Sequence, residues 1–132
     1  MNILKGTIQK ISTEGHISLI SIQCGQDVFS SLVIENQESA PYLKVGYPVQ
    51  MYFKETEVIL SKEGELPTSL NNVFSCVITE IIIGKILSKV YLQYGAEEVH
   101  AIITTAPLEK LKIKAGDAIF ALIKNNEIML SS

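Results

Sequence analysis

The 132-residue sequence contains no arginine: all 11 of its basic residues are lysine, against 14 acidic residues, for a net charge of −3. A nucleic-acid-binding face is normally basic and Arg-rich, so this composition argues against such a partner. A small anion needs only a few local donors and is not excluded. Cysteine is scarce as well. Cys24 and Cys76 lie far apart with no C-x-x-C pattern, so two free, buried thiols are expected. Long apolar runs are missing; the densest, Ile81-Ile82-Ile83, stops at Gly84, far short of the ~18 residues of a membrane span. The first twenty residues lack the apolar core of a secretory signal, so the sequence reads as soluble and cytoplasmic. The two histidines, His16 and His100, do not form a cluster with metal-ligand spacing. There is no Ser-His-Asp arrangement, recognisable carboxylate pair or P-loop, and no enzymatic activity is expected.

What is present is an internal repeat. Sliding the chain by seventy positions aligns its halves without a gap. Asn2 falls on Asn72, Ile8 on Ile78, Ser18 on Ser88, Gly25 on Gly95, Gly46 on Gly116, Lys54 on Lys124 and Leu60 on Leu130. Conservative pairs such as Leu43 with Ile113 and Val58 with Ile128 strengthen the match. Residues 63–70 between the halves are polar and carry Gly64 and Pro67, as a linker should. The expected organisation is a first module over 1–62, a linker over 63–70 and a second module over 71–132.

Each half reads mostly as strand. HISLISIQ alternates and is rich in β-branched residues; VFSSLVIE, YPVQMYF and EVILS follow, and the second half repeats the series. The helical signal lies between the third and fourth strands. In the second half it runs from Thr105, a capping residue, through Pro107 to Gly116. Five strands and one short helix in about sixty residues predict an all-β fold. The expectation is two tandem OB-like five-stranded Greek-key barrels, each with one short helix. A unit of ~60 residues is marginal alone, so the two should pack on each other or on another subunit.

These residues resemble the Mop, or TOBE, module of molybdate-binding proteins. In the second half, Ala101 and Thr104 match the family's A-x-V-T-x-x-S. Leu111, Ile113 and Gly116 match L-x-L-x-x-G, and Ala121, Ile123, Lys124 and Ile128 match A-x-I-K-A-S-x-V. Leu43, Gly46, Lys54, Thr56 and Val58 repeat the pattern more loosely in the first half. The opening motif S-A-R-N-x-L-x-G is met in part by Asn2, Leu4 and Gly6 and again by Ser69, Asn71 and Asn72. The arrangement is similar to stand-alone di-Mop proteins.

The resemblance implies non-enzymatic binding of molybdate or tungstate for storage, buffering or sensing, with no catalytic cofactor. It also implies a homo-oligomer, a trimer in preference to a dimer, with no nucleic-acid or membrane partner. A ligand-free TOBE module acting through protein contacts is the alternative. The oxyanion-binding residues carried over are Lys54, Thr56, Lys124, Asn126, Ser69, Asn71, Asn72 and Thr104. A tetrahedral dianion is selected by such hydroxyl, amide and ammonium donors in a partly dry site. The departures are specific. Met1 and Asn71 stand where the family has Arg, Ile34 stands for the first module's Thr, and Pro107 for a Ser.

Overall fold

In the segment ISLISIQC every second residue turns inward: Ser18, Ile20, Ile22 and Cys24 are buried. The same period of two runs through PVQMYF and NVFSCVIT, among others. The computed structural model describes residues 1–66 and 68–132; Pro67, in the expected linker, lies outside them. Among the described residues the first half supplies β1 (Asn2–Glu14), β2 (Ile17–Cys24), β3 (Asp27–Val33), β4 (Pro48–Phe53) and β5 (Ile59–Ser61). The second half supplies β6 (Asn72–Ile82), β7 (Leu87–Tyr94), β8 (Glu97–Thr104), β9 (Ala118–Ile123) and β10 (Met129–Ser131), with the helix α1 (Thr105–Leu111) between β8 and β9. All ten lie where the sequence pattern places strands.

The strands form two five-stranded sheets, ordered β10-β4-β1-β2-β3 and β5-β9-β6-β7-β8. The last strand of each half therefore completes the other half's sheet. Met129, Leu130 and Ser131 pair with Tyr52, Met51 and Gln50. Ile59, Leu60 and Ser61 pair with Leu122, Ala121 and Phe120. A single turn of 3₁₀ helix, Glu55–Glu57 or Asn125–Glu127, precedes each exchanged strand. It carries the chain across to the neighbouring sheet instead of reversing it as a hairpin.

The repeat is physical as well as textual. β1 and β6 each break register at the same point, between Ile8 and Lys10 and between Ile78 and Glu80. A bulge there bends the long first strand so that it pairs on both sides, as barrel closure requires. Gly46 and Gly116 occupy the same left-handed backbone conformation, with φ of 92° and 96°. Their N–H groups donate to the carbonyls of Ile8 (2.8 Å) and Ile78 (2.7 Å). A Cβ would strain that conformation, which explains why both halves keep glycine there.

The helix does not repeat. In the first half the equivalent stretch is a turn built on Asn36, whose Oδ1 accepts from the N–H groups of Glu38 and Ser39, each at 3.0 Å. Pro41 stands where the second half has Leu111 and blocks helix extension. In the second half α1 ends at Leu111 with Lys112 in the left-handed region. Gly116 thus turns the chain into β9 and does not cap the helix. Thr105 lies inside the first turn, buried, with its hydroxyl within 2.7 Å of Ser88 Oγ.

The two halves share one core. Phe29 on β3, Phe74 on β6 and Tyr94 on β7 form an aromatic triad, with ring centroids 4.9 to 6.2 Å apart. The Tyr94 hydroxyl donates to Asp27 Oδ2 at 2.5 Å, linking β7 to β3. Cys24 and Cys76 are free and buried. Burial, and secondarily the charge of Asp27, push the Cys76 thiol from 9.0 to about 12. Cys24 is raised too, chiefly by burial. The folded state thus keeps protons that the unfolded chain releases, so stability is full below pH 9 and falls as pH rises toward 12. The Cys76 thiol accounts for a loss of about 1.4 kcal/mol per pH unit across that window, and Cys24 acts in the same direction. Urea midpoints at pH 8 and pH 10.5 test this: the midpoint drops at the higher pH, and the drop shrinks in Cys76→Ala. An equal drop in that variant would assign the effect to other groups.

Candidate functional site

Two clefts lie where the halves meet, and the seventy-residue offset relates them. The first, about 500 Å³, is lined by Thr56, Ile59 and Leu60 from the first half and by Leu87, Ile103 and Thr104 from the second. The second, about 450 Å³, is lined by Ile34, Glu35 and Tyr42 from the first half and by Asn126, Met129 and Leu130 from the second. Strand exchange creates both. The 3₁₀ turn bearing Thr56 packs on β8, and the turn bearing Asn126 packs on β3. Ser31 Oγ donates to the Ile128 carbonyl at 2.6 Å and pins the second turn. At the position equivalent to Ser31 the second half has Ala101, which has no hydroxyl.

The structure brings together Thr56 and Thr104, two hydroxyl donors carried over from the resemblance, in one cleft. Asn126 sits at the matching place in the other. Lys54 and Lys124 immediately precede the two turns and are exposed. Their carbonyls accept from the N–H groups of Glu57 and Glu127, both at 3.0 Å, which fixes the turns. Ser69 and Asn71 are exposed on the approach to β6, outside the lining of either cleft.

Asn72 is placed differently. It is 1% exposed, and its side-chain amide is spent on backbone: Oδ1 accepts from Ser30 N–H at 2.6 Å and Nδ2 donates to the Ser30 carbonyl at 2.8 Å. Asn2 makes the same clasp on His100, at 2.8 and 2.9 Å. Ser30 and His100 are themselves seventy residues apart, so the clasp is two-fold. It ties β6 to β3 and β1 to β8. Asn72 thus acts as a strand clasp in this structure, with Oδ1 and one Nδ2 hydrogen engaged by Ser30. The His100 ring meets Tyr91 edge-on, with centroids 4.6 Å apart, and its Nε2 lies 2.8 Å from Glu98 Oε1. His16 Nδ1 lies 3.4 Å from Asn36 Nδ2.

Glu35 and Tyr42 are cleft residues that the sequence pattern did not single out. Burial, and then the neighbouring Glu35 carboxylate, push the Tyr42 phenol above its ordinary value. The repeat held a usable signal: Glu35 stands opposite Thr105, one residue past the Ile34–Thr104 mismatch.

The model of the TOBE domain matches residues 68–130. This match falls in the second half of the chain and covers just under half of its length. The chain's first half is that module's structural twin at the seventy-residue offset. Over 68 residues, 51% of this chain, the sequence is 34% identical to the molybdenum transport protein ModE of Azotobacter vinelandii. The chain spans 25% of that relative's length. The structure of the cytoplasmic molybdate-binding protein ModG, determined with molybdate bound, superposes with a TM-score of 0.90 at 23% identity. It covers 98% of this chain and 94% of that one, so the tandem OB-like fold is common to both. A molybdate-binding protein from Sporomusa ovata matches 45% of this chain and 88% of its own, at 29% identity and a TM-score of 0.43.

Proposed function

We propose that this protein binds molybdate, or the near-isosteric tungstate, without transforming it, and serves to store, buffer or sense the anion in the cytoplasm. The observation that carries the reading is the meeting of Thr56 and Thr104 in one cleft. They come from opposite halves, and each stands at a hydroxyl position of the TOBE pattern. Hydrogen bonds to a charged group contribute about 1.5–3 kcal/mol each. Four or five of them sustain micromolar affinity after the cost of association. Lys54, Lys124, Ser69 and Asn71 supply charge and further donors once a neighbouring subunit brings them to a cleft. Asn126 occupies the topologically equivalent place in the other cleft.

A homo-oligomer, with a trimer favoured, belongs to the same reading. Its support is apolar exposure at the sheet ends: Ile86 is 73% exposed and Ile34 83%. Side chains of this kind, grouped around the clefts, suit an interface between copies. Among the described residues no helix is long and apolar enough to cross a membrane.

A ligand present at a hundredfold excess over its Kd stabilises the native state by about 2.7 kcal/mol. Molybdate and tungstate are expected to raise Tm by several degrees, and phosphate by much less. In Thr56→Ala and Thr104→Val the shift is largely lost while Tm without anion stays within about 2 °C, as for exposed substitutions. A folded protein whose Tm responds to none of these anions would sink the reading.

A further inference from the structure

The two clefts are equivalent by topology but not by chemistry. In the first, Thr56 and Thr104 present hydroxyls, and no charged side chain is among the lining residues. In the second, Ile34 replaces the hydroxyl of Thr104, and the half-buried Glu35 brings a carboxylate. Its counterpart Thr105 is turned away from the first cleft and hydrogen-bonds the Gly84 carbonyl at 2.9 Å. Glu35 is held in place through its backbone, whose carbonyl accepts from Ser18 Oγ at 2.6 Å. Its carboxylate is close enough to Tyr42, in the same cleft lining, to help push that phenol above its ordinary value.

Resting on the molybdate reading above, we propose that the chain is a half-sites binder. The Thr56–Thr104 cleft takes the tetrahedral dianion, and Glu35 with Ile34 bars it from the Asn126 cleft. A carboxylate beside a dianion is repelled by Coulomb's law, most strongly in a partly dry cleft. An isoleucine in place of a threonine removes the donor that would offset that repulsion. The specificity-determining pair is thus Ile34 and Glu35. Seventy residues on, Thr104 and Thr105 show what the unbarred arrangement looks like.

Molybdate equivalents per chain, measured by equilibrium dialysis with elemental analysis, test this on the 132-residue chain. In the wild type, Thr56→Ala weakens binding about tenfold or more, the loss of one hydrogen bond to a charged group. Asn126→Ala leaves the binding curve unchanged. The double variant Ile34→Thr/Glu35→Gln binds about one further equivalent per chain, because the like charge is gone. Equal losses from Thr56→Ala and Asn126→Ala would overturn the proposal even if the double variant failed to fold. So would a folded double variant with the wild-type count. Binding of no molybdate by the wild type would overturn the function itself, and this inference with it.

Discussion

Residues 1–62 alone, or 71–132 alone, will show no cooperative thermal transition. Each half lacks the strand that closes its own sheet, because Leu130 lies against Met51 and Leu60 against Ala121 across the exchange. Separation exposes the outer edges of β4 and β9, strands that are central in sequence pattern but would become unprotected edges. It also opens the triad of Phe29, Phe74 and Tyr94 to water. Removing the partner of a buried aromatic residue costs about 1.5–3 kcal/mol in transfer free energy per side chain. A ~60-residue unit that buries only ~60% of its unfolded surface has no reserve to absorb that. Circular dichroism melts of each half, and of the two mixed and refolded together, check the prediction. The mixture regains a cooperative transition and the separate halves do not. A sharp melt for either half alone would mean that β5 or β10 can fold back onto its own sheet.

The strands were legible because alternation is a local property. VFSSLVIE and YPVQMYF carry it in eight residues or fewer, and β3 and β4 form there. The exchange of β5 and β10 was not legible, for a definite reason. Swapping equivalent strands between two repeats leaves every residue in the same local environment type, so the sequence pattern is unchanged. The first half's missing helix could have been read from Pro41, which sits where a second helical turn would need a free N–H. Of the candidate site, Thr56 and Thr104 were visible as hydroxyls at pattern positions, but their meeting depends on the exchange. Asn72 was visible as a repeated residue, but its clasp on Ser30 was not. A polar side chain recurring at an inward strand position fits a buried clasp as well as it fits a ligand. Only its two contacts to Ser30 distinguish the two.

Asn72→Ala will destabilise the protein by about 2–4 kcal/mol, because two hydrogen bonds disappear and the Ser30 N–H and carbonyl lose their partners. For a chain of this size that is a fall in Tm on the order of 10 °C. Asn2→Ala acts in the same direction but less strongly, since Asn2 is 5% exposed against 1% for Asn72. Asn72→Asp separates the two contacts. A carboxylate can still accept from the Ser30 N–H, but it faces the Ser30 carbonyl without a proton to donate. Burial and that carbonyl both raise the new group's pKa. The variant therefore binds a proton more readily folded than unfolded, and its deficit narrows as pH falls through the raised value and widens as pH rises. Urea titrations of the wild type and the three variants at pH 4 and pH 7 measure each of these differences. The clasp role also makes a prediction about the anion. At saturating molybdate, Asn72→Ala retains the ligand-induced rise in Tm, because the hydroxyls of Thr56 and Thr104 are untouched. Loss of that rise in a folded Asn72→Ala protein would return the residue to the anion site.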